Sequence, residues 1–196
     1  VLYNSFTDKL GSQYKPSMEY IAEPLNIDFT FLETGSSGDE AMAAIEAALV
    51  SGYDGCIGTV ASEARAALFD KAGVPYVVCG GMPSDETQAK AMASYENYLG
   101  SVVVDDYAAG YAMAEALYAD GCRNVMWDGL SRGYSGQHDA RAAGFADGVA
   151  SHDDMKLIVE NWDYTQWADG IATAAATYPE LDGVGCTCLM ANIYNT

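Results

Sequence analysis

The segment 99–145 constrains the fold of this chain more than any other stretch. An apolar run at 102–104 precedes a segment with apolar residues at helical spacing, and a second apolar run follows at 125–127. A polar, glycine-containing loop at 129–136 then leads into another helical segment. Strand, helix, strand, loop and helix in this order predict a βαβα unit whose two strands are parallel neighbours with a right-handed crossover.

The same alternation runs along the whole chain. Eight short apolar runs read as strands, at 1–4, 27–32, 56–58, 75–79, 102–104, 125–127, 157–159 and 184–186. Helical segments separate them, so the pattern predicts an α/β protein with parallel sheets, divided between two lobes. The weakly periodic segment 85–97 is the natural crossing point. We therefore expect an N-terminal lobe at 1–100 and a C-terminal lobe at 101–196, with four βα units in each.

Charge excludes several classes of partner. The chain has 28 acidic and 9 basic residues, a formal net charge of −19. Such a field repels phosphate backbones and anionic lipid, so we expect no nucleic-acid or membrane-surface binding through this chain. A secreted or surface-exposed protein is the simplest interpretation. Because the chain opens on the strand-like Val1-Leu2-Tyr3, we expect that an upstream segment, such as a targeting segment, has been removed.

The cysteine pattern does not indicate an enzyme, and neither does any known catalytic motif, since the chain contains none of those sought. Five cysteines do not form a dense, even-numbered disulfide framework, and we predict buried free thiols. Cys186 and Cys188 could ligate a metal, but no second pair or nearby histidine completes a site. The chain has no nucleophile elbow, no phosphate-binding loop and no dinucleotide fingerprint. We therefore predict a non-enzyme with no cofactor and no metal.

The carboxyl ends of the predicted strands hold the candidate ligand-binding residues, because ligands of parallel α/β sheets sit there. Asp105 and Asp106 follow one apolar run, and we expect one of them to cap the next helix while the other faces a ligand cleft. Arg141 is the strongest candidate, since its planar fork suits a carboxylate or vicinal hydroxyls. A surface salt bridge is the alternative for Arg141.

Aromatic residues follow two of the later strands. Trp127 and Trp162 are predicted to stack on a ligand at the mouth of the cleft. The alternative is that two of the five aromatic residues in this region belong to the core: Trp127, Tyr134, Trp162, Tyr164 and Trp167. His138 and His152 are isolated from each other and from cysteine, so we expect both to be surface residues.

Several short motifs, in order and spacing, resemble the type I periplasmic binding proteins, which share their fold with the effector domains of LacI-type repressors. The matching segments are GYDGCI (52–57), AGVPYVV (72–78), VDDYAAG (104–110), GCRNV (121–125), RAAGF (141–145) and LDGV (181–184). The resemblance implies two Rossmann-like lobes joined by a hinge, which close on a small polar solute in an interlobe cleft, most simply a carbohydrate. Its implied partner is the permease of an ABC transporter, and its implied location is extracytoplasmic.

Two residues of the N-terminal lobe are further ligand candidates, the first from the resemblance and the second from its place after a strand. Phe6 matches the position at which the family often stacks an aromatic on a sugar ring, although it could instead pack on the first helix. Thr59 follows the third predicted strand and could hydrogen-bond a ligand, or it could cap a helix. A ligand-sensing effector domain of a LacI-type regulator, or a receptor ectodomain, is the alternative function.

Two departures from the family pattern stand out. Where the family carries an Asn-Asp pair followed by Met-Ala after the eighth strand, this chain has Thr187-Cys188-Leu189-Met190-Ala191. The resemblance therefore carries no sugar contact over to that position. Family members also continue beyond the point that corresponds to Thr196. We thus expect either that the chain is truncated at its C-terminus or that the first lobe lacks strands that would cover an exposed sheet edge. A partial lobe is expected to dimerise or to be locally disordered.

Overall fold

The computed structural model describes residues 1–35 and 37–188. The strands are β1 (Leu2–Tyr3), β2 (Leu32–Glu33), β3 (Cys56–Gly58), β4 (Tyr76–Cys79), β5 (Tyr98–Val102), β6 (Asn124–Asp128), β7 (Lys156–Asn161) and β8 (Gly183–Cys186). The helices are α1 (Gly11–Leu25), α2 (Gly38–Leu49), α3 (Glu63–Ala72), α4 (Glu86–Ala93), α5 (Asp106–Ala119), α6 (Gly136–Ala150) and α7 (Trp167–Thr177), with a 3₁₀ turn at Tyr164–Gln166. Strands and helices alternate, which confirms the predicted α/β class.

The described strands form two sheets, and their pairings are parallel, as predicted. The first sheet has the order β2-β1-β3-β4-β5 and the second has the order β7-β6-β8. The chain divides into two compact units, Val1–Val103 and Val104–Thr196. The first sheet lies in the first unit and the second sheet in the second unit.

The predicted pairing around residue 102 is wrong. Tyr98–Val102 forms β5 and pairs with β4, with Cys79 opposite Val102, so it closes the edge of the first sheet. It is not a neighbour of β6, and the strands divide five and three, not four and four. Val104 lies outside any strand and is 72% exposed. The apolar run at 102–104 therefore marks the end of an edge strand and the start of the connection.

The second predicted strand is also shifted. The alternating segment 27–32 predicted a strand, yet only Leu32–Glu33 pairs with β1. Phe29 and Phe31 instead lie with their ring centroids 6.1 Å apart, and Phe31 meets Phe6 edge-on at 5.2 Å. Aromatic contacts thus account for the apolar alternation of this segment without strand pairing.

The core of the first unit lies between β1, β3 and β4 and the helices that cover them. Tyr76 and Phe69 stack at 4.5 Å between ring centroids, both fully buried. The Tyr76 hydroxyl donates to the carbonyl of Val60 at 3.0 Å. Helix α3 begins at the Ser62 cap and ends at Gly73, whose φ of +68° is the left-handed conformation that glycine adopts readily.

The second unit is held by close packing of α5 against α6. A Cβ added at Gly110 would overlap the carbonyl oxygen of Arg141, and one added at Gly144 would overlap the carbonyl oxygen of Tyr107. The two helix backbones can approach this closely only because glycine has no side chain. The Tyr107 hydroxyl also donates to Asp147 across the pair at 2.7 Å. This contact fixes the N-terminal turn of α5 relative to Arg141 on α6.

Candidate functional site

The two consecutive aspartates at the start of α5 have different roles. Asp105 caps the helix, because its carboxylate accepts a hydrogen bond from the amide of Ala108 at 2.9 Å. Asp106 is 7% exposed and forms an ion pair with Arg141. The expectation that one aspartate caps the helix is confirmed for Asp105. The charged carboxylate of Asp106 is instead buried beside α6.

Arg141 connects α5, α6 and the segment after β8. Its Nη2 donates to Asp106 Oδ1 and its Nη1 donates to the carbonyl oxygen of Thr187. The Arg141 side chain is 22% exposed, so the interaction is a largely buried ion pair and not a surface one. A guanidinium carries five N–H donors. Two of them donate to Asp106 and Thr187.

His138 lies beside this pair, which the sequence did not predict. Its side chain is half-buried, and Nδ1 hydrogen-bonds Thr187 Oγ1. Burial lowers the pKa of His138, and the positive charge of Arg141 lowers it further. The imidazole is therefore neutral near pH 7. His138 stands three residues before Arg141 on the same helix face, and this spacing was the available signal.

Asp128 and Asn161 form a second polar pair that sequence reasoning missed. They lie opposite each other at the carboxyl ends of β6 and β7, and Asn161 Nδ2 donates to Asp128 Oδ1 at 2.7 Å. Asp128 is fully buried, and its carbonyl accepts from the amide of Thr187 at 3.0 Å. A polar residue closing each of two neighbouring apolar strands was the signal in the sequence.

Trp127 is a core residue, which corrects its predicted stacking role. Its ring is 1% exposed and lies 5.3 Å from the ring of Phe145 and 6.4 Å from that of Trp162. No face of the indole is open to a ligand. The indole is buried because β6 is the central strand of its sheet and α6 packs over this position.

Trp162 is half-buried at the end of β7, and another side chain covers it. The Arg132 guanidinium lies 4.0 Å from the Trp162 ring centroid, and Arg132 also pairs with Glu160 at 3.1 Å. These three residues and Asp139 line a depression of about 340 Å³ beside α6. A ligand that stacked on this face of Trp162 would have to displace Arg132.

In the first unit, Phe6 and Thr59 lie beyond the carboxyl ends of β1 and β3. The half-buried Phe6 ring contacts Tyr3 and Phe31, at 5.8 and 5.2 Å between centroids. Phe6 packs in an aromatic cluster with Tyr3 and Phe31. Thr59 is not the cap of α3, because Ser62 accepts the capping hydrogen bond from Arg65. The structure leaves the predicted ligand roles of Phe6 and Thr59 as predictions.

A cavity of about 620 Å³ lies at the opposite end of the first sheet. Its lining includes Phe29, Leu49, Phe69 and Pro75, together with Cys56 at the start of β3. Burial raises the pKa of the Cys56 thiol to about 11, so this thiol is protonated at neutral pH. Cavity and thiol are thus separated from Phe6 and Thr59 by the length of the strands.

The remaining predictions concern thiols, metals and membranes. Cys56, Cys79, Cys122 and Cys188 carry free thiols, as predicted, but the cysteines are half-buried and not fully buried. Within residues 1–35 and 37–188, no three His, Cys, Asp or Glu side chains are grouped so that they could hold a metal ion. The helices of these same residues include none that is long and apolar enough to cross a membrane. Residues 189–191 of the departure from the family pattern lie outside the described residues.

Both parallel α/β units carry polar side chains at the carboxyl ends of their strands, which is where sheets of this kind bind ligands. The family model described as "Periplasmic binding proteins and sugar binding domain of LacI family" matches residues 14–190. The chain belongs to this family, as the sequence motifs predicted.

Solved structures share the fold at low sequence identity. An ABC transporter solute-binding protein from Agrobacterium vitis, bound with α-D-tagatopyranose, has 17% identity and a TM-score of 0.80, over 99% of this chain and 68% of that one. One from Actinobacillus succinogenes with bound D-allose has 19% identity and a TM-score of 0.79, over 95% and 67%.

A LacI family transcriptional regulator from Silicibacter pomeroyi has 19% identity and a TM-score of 0.67, over 94% of this chain and 67% of that one. No curated protein matched the chain. The family and these structural neighbours are binding proteins and regulators rather than enzymes.

Proposed function

We propose that the chain is a solute-binding protein that captures a carbohydrate for uptake by an ABC transporter. The observation that carries this proposal is the Arg141 guanidinium, held by Asp106 and Thr187 with donors left over. A planar, preorganised donor fork suits the vicinal hydroxyls of a sugar. Because Asp106 neutralises Arg141, the pair favours a neutral polar solute over a free anion.

The comparisons support the same chemistry. The family description includes sugar binding, and two of the structural neighbours hold monosaccharides. Asp106, Phe6, Thr59 and Trp162 remain proposed ligand contacts. Asp105 caps α5 and Trp127 belongs to the core, so neither is proposed as a contact. An extracytoplasmic location and a permease partner follow from this proposal. The net charge of −19 repels nucleic acid, which agrees with a role in solute uptake.

The test is a binding screen by thermal shift and calorimetry. The panel contains D-allose, D-tagatose, D-glucose and D-ribose, with an amino acid and a nucleoside as non-sugar probes. We expect at least one monosaccharide to bind with Kd on the order of 1 μM, about −8 kcal/mol. Arg141→Ala should remove that binding without unfolding the protein. If the amino acid or the nucleoside binds and no sugar does, the carbohydrate proposal is wrong.

Arg123→Ala is the matched control for this variant. Arg123 is also an ion-paired arginine of the second unit, 2.9 Å from Asp154, but it lies at the amino end of β6. It should leave sugar binding intact. Equal losses in Arg123→Ala and Arg141→Ala would show that the effect of Arg141 is a general loss of structure.

A ligand-sensing effector domain of a regulator is the second candidate function, favoured by the LacI family neighbour. The two functions are distinguished in cells that lack the protein. Loss of labelled D-allose uptake supports the transporter role. A change in transcription of a target operon with uptake unaffected supports the regulator.

A further inference from the structure

Thr187 is contacted by two side chains of α6. His138 hydrogen-bonds the Thr187 hydroxyl, and Arg141 donates to the Thr187 carbonyl oxygen. Thr187 is 1% exposed, and its amide donates to the carbonyl of Asp128 at 3.0 Å. The hydroxyl, the carbonyl and the amide of this one residue are therefore all engaged. Its position is set jointly by β6 and by the first two turns of α6.

We propose that neutral His138 is a positioning residue for Arg141, acting through Thr187, and that protonation of His138 weakens sugar capture in acid. The inference rests on the proposed function, in which Arg141 binds the sugar. His138 itself need not touch the sugar. It holds the residue whose carbonyl orients the guanidinium.

The charges that face His138 explain why protonation would disturb the site. On α5 the facing group is Asp106, and on α6 the facing groups are Asp139 and Arg141. The two carboxylates favour protonation, whereas burial and Arg141 oppose it, and the pKa of His138 is lowered on balance. The segment after β8 contributes Thr187, which is uncharged and whose backbone hydrogen bond with His138 acts to raise the pKa.

A protonated His138 cannot pair with either carboxylate without disturbing a contact that the carboxylate already makes. Asp106 is already paired with Arg141, and Asp139 accepts the amide of Gly133 at 2.8 Å. A protonated His138 would compete with Arg141 for Asp106 and repel the guanidinium. Protonated Nδ1 can also only donate, so the Thr187 hydroxyl must then accept.

The first test needs no sugar. The chain has only two histidines, so the signals of His138 and His152 can be assigned in NMR spectra with single variants. We expect His138 to titrate below the ordinary histidine pKa. We also expect the Arg141 guanidinium signals to broaden through exchange as His138 protonates. In His138→Asn, which keeps a polar partner for Thr187 and cannot take up a proton, the Arg141 signals should not respond to pH.

The second test measures the Kd of D-allose by calorimetry between pH 8 and pH 5. If only the neutral form binds, the Kd rises about tenfold for each pH unit below the His138 pKa. His138→Asn should show a flat profile, whatever its affinity at pH 8. His152→Asn is the matched control, because His152 bonds Glu115 at 2.7 Å, away from Thr187. It should retain the acid loss.

A second pair of variants tests the link through Thr187. Thr187→Val removes the hydroxyl and keeps the carbonyl that Arg141 uses. It should weaken D-allose binding at pH 8 and flatten the profile, whereas Thr187→Ser should retain both affinity and acid loss. Thermal melts at pH 7.5 establish that each variant is folded.

The proposal is overturned if wild type and His138→Asn share one pH profile, or if the Arg141 signals ignore the titration of His138. If D-allose does not bind at any pH, D-tagatose replaces it. If no monosaccharide binds, the proposed function fails, and the NMR titration alone decides whether His138 positions Arg141.

Discussion

The two units hold their candidate residues by different means. In the first unit, Phe6 and Thr59 lie on loops after strands of two and three residues, and aromatic contacts hold Phe6 in place. In the second unit, Asp106 and Arg141 lie on two helices whose backbones touch through Gly110 and Gly144. Buried ion pairing then fixes the orientation of Arg141.

This difference leads us to expect different contributions to ligand binding from the two units. Residues on rigid elements are positioned more accurately than residues on loops. Under the proposed function, we therefore expect the second unit to provide the oriented polar contacts that discriminate between sugars. We expect the first unit to provide an aromatic surface that tolerates variation. Three paired substitutions test this contrast.

The largest effect is expected from Gly144→Ala. Its Cβ would overlap the carbonyl oxygen of Tyr107 on α5, and the two backbones must separate to accept it. We expect a loss of about 3 kcal/mol in the free energy of unfolding, measured with urea. The control in the first unit is Gly38→Ala, which meets nothing within 4 Å. It should be neutral or slightly stabilising. Equal effects would remove the contrast between the units.

A smaller effect is expected from Asp106→Asn. It leaves the largely buried Arg141 without its counter-ion, which costs about 2 kcal/mol after allowance for the partial exposure of Arg141. Asp105→Asn is the control at the adjacent position, because asparagine caps a helix about as well as aspartate. Urea unfolding of both variants at pH 7 is the measurement. A loss in Asp105→Asn as large as that in Asp106→Asn would contradict the division of roles at the start of α5.

The smallest effect concerns the first unit. Ser62→Ala removes the cap of α3 and should cost about 1 kcal/mol. Thr59→Ala, three residues earlier, removes a side chain that does not cap the helix, so it should cost less than about 0.5 kcal/mol. Thermal unfolding of the two variants distinguishes them. If Thr59→Ala is the more damaging, Thr59 has a structural role and its proposed ligand contact loses support.

Much of the fold could be read from the sequence. Glycines after apolar helical segments marked the helix ends, as at Gly73 and Gly121, both in the left-handed conformation. The short apolar runs marked the strands, because strands buried under helices are continuously apolar. Asp105 could be read as a cap candidate because the capping bond is local, spanning three residues. Arg141 could be selected because the planar donor fork of a guanidinium is a property of the residue type and needs no knowledge of the fold.

What the sequence could not provide depends on neighbours distant in the chain. The run at 102–104 has the composition of a strand, yet its partner is β4 and not β6. Trp127 and Trp162 have the same chemistry, but β6 is central and β7 is at an edge, so one ring is buried and the other is half-exposed. Strand order, not local pattern, decided both outcomes.

By itself, the sequence determined the alternation of strands and helices, the family, and the residue types capable of binding a polar solute. Only the tertiary structure decided which of those residues meet. Asp106 and Arg141 are 35 positions apart, and His138 and Thr187 are 49 apart. Hydrophobic periodicity indicates which helix or strand a residue belongs to. These contacts instead exist only because α5, α6 and β8 pack together. Without that packing, neither the arginine nor the histidine has a defined orientation.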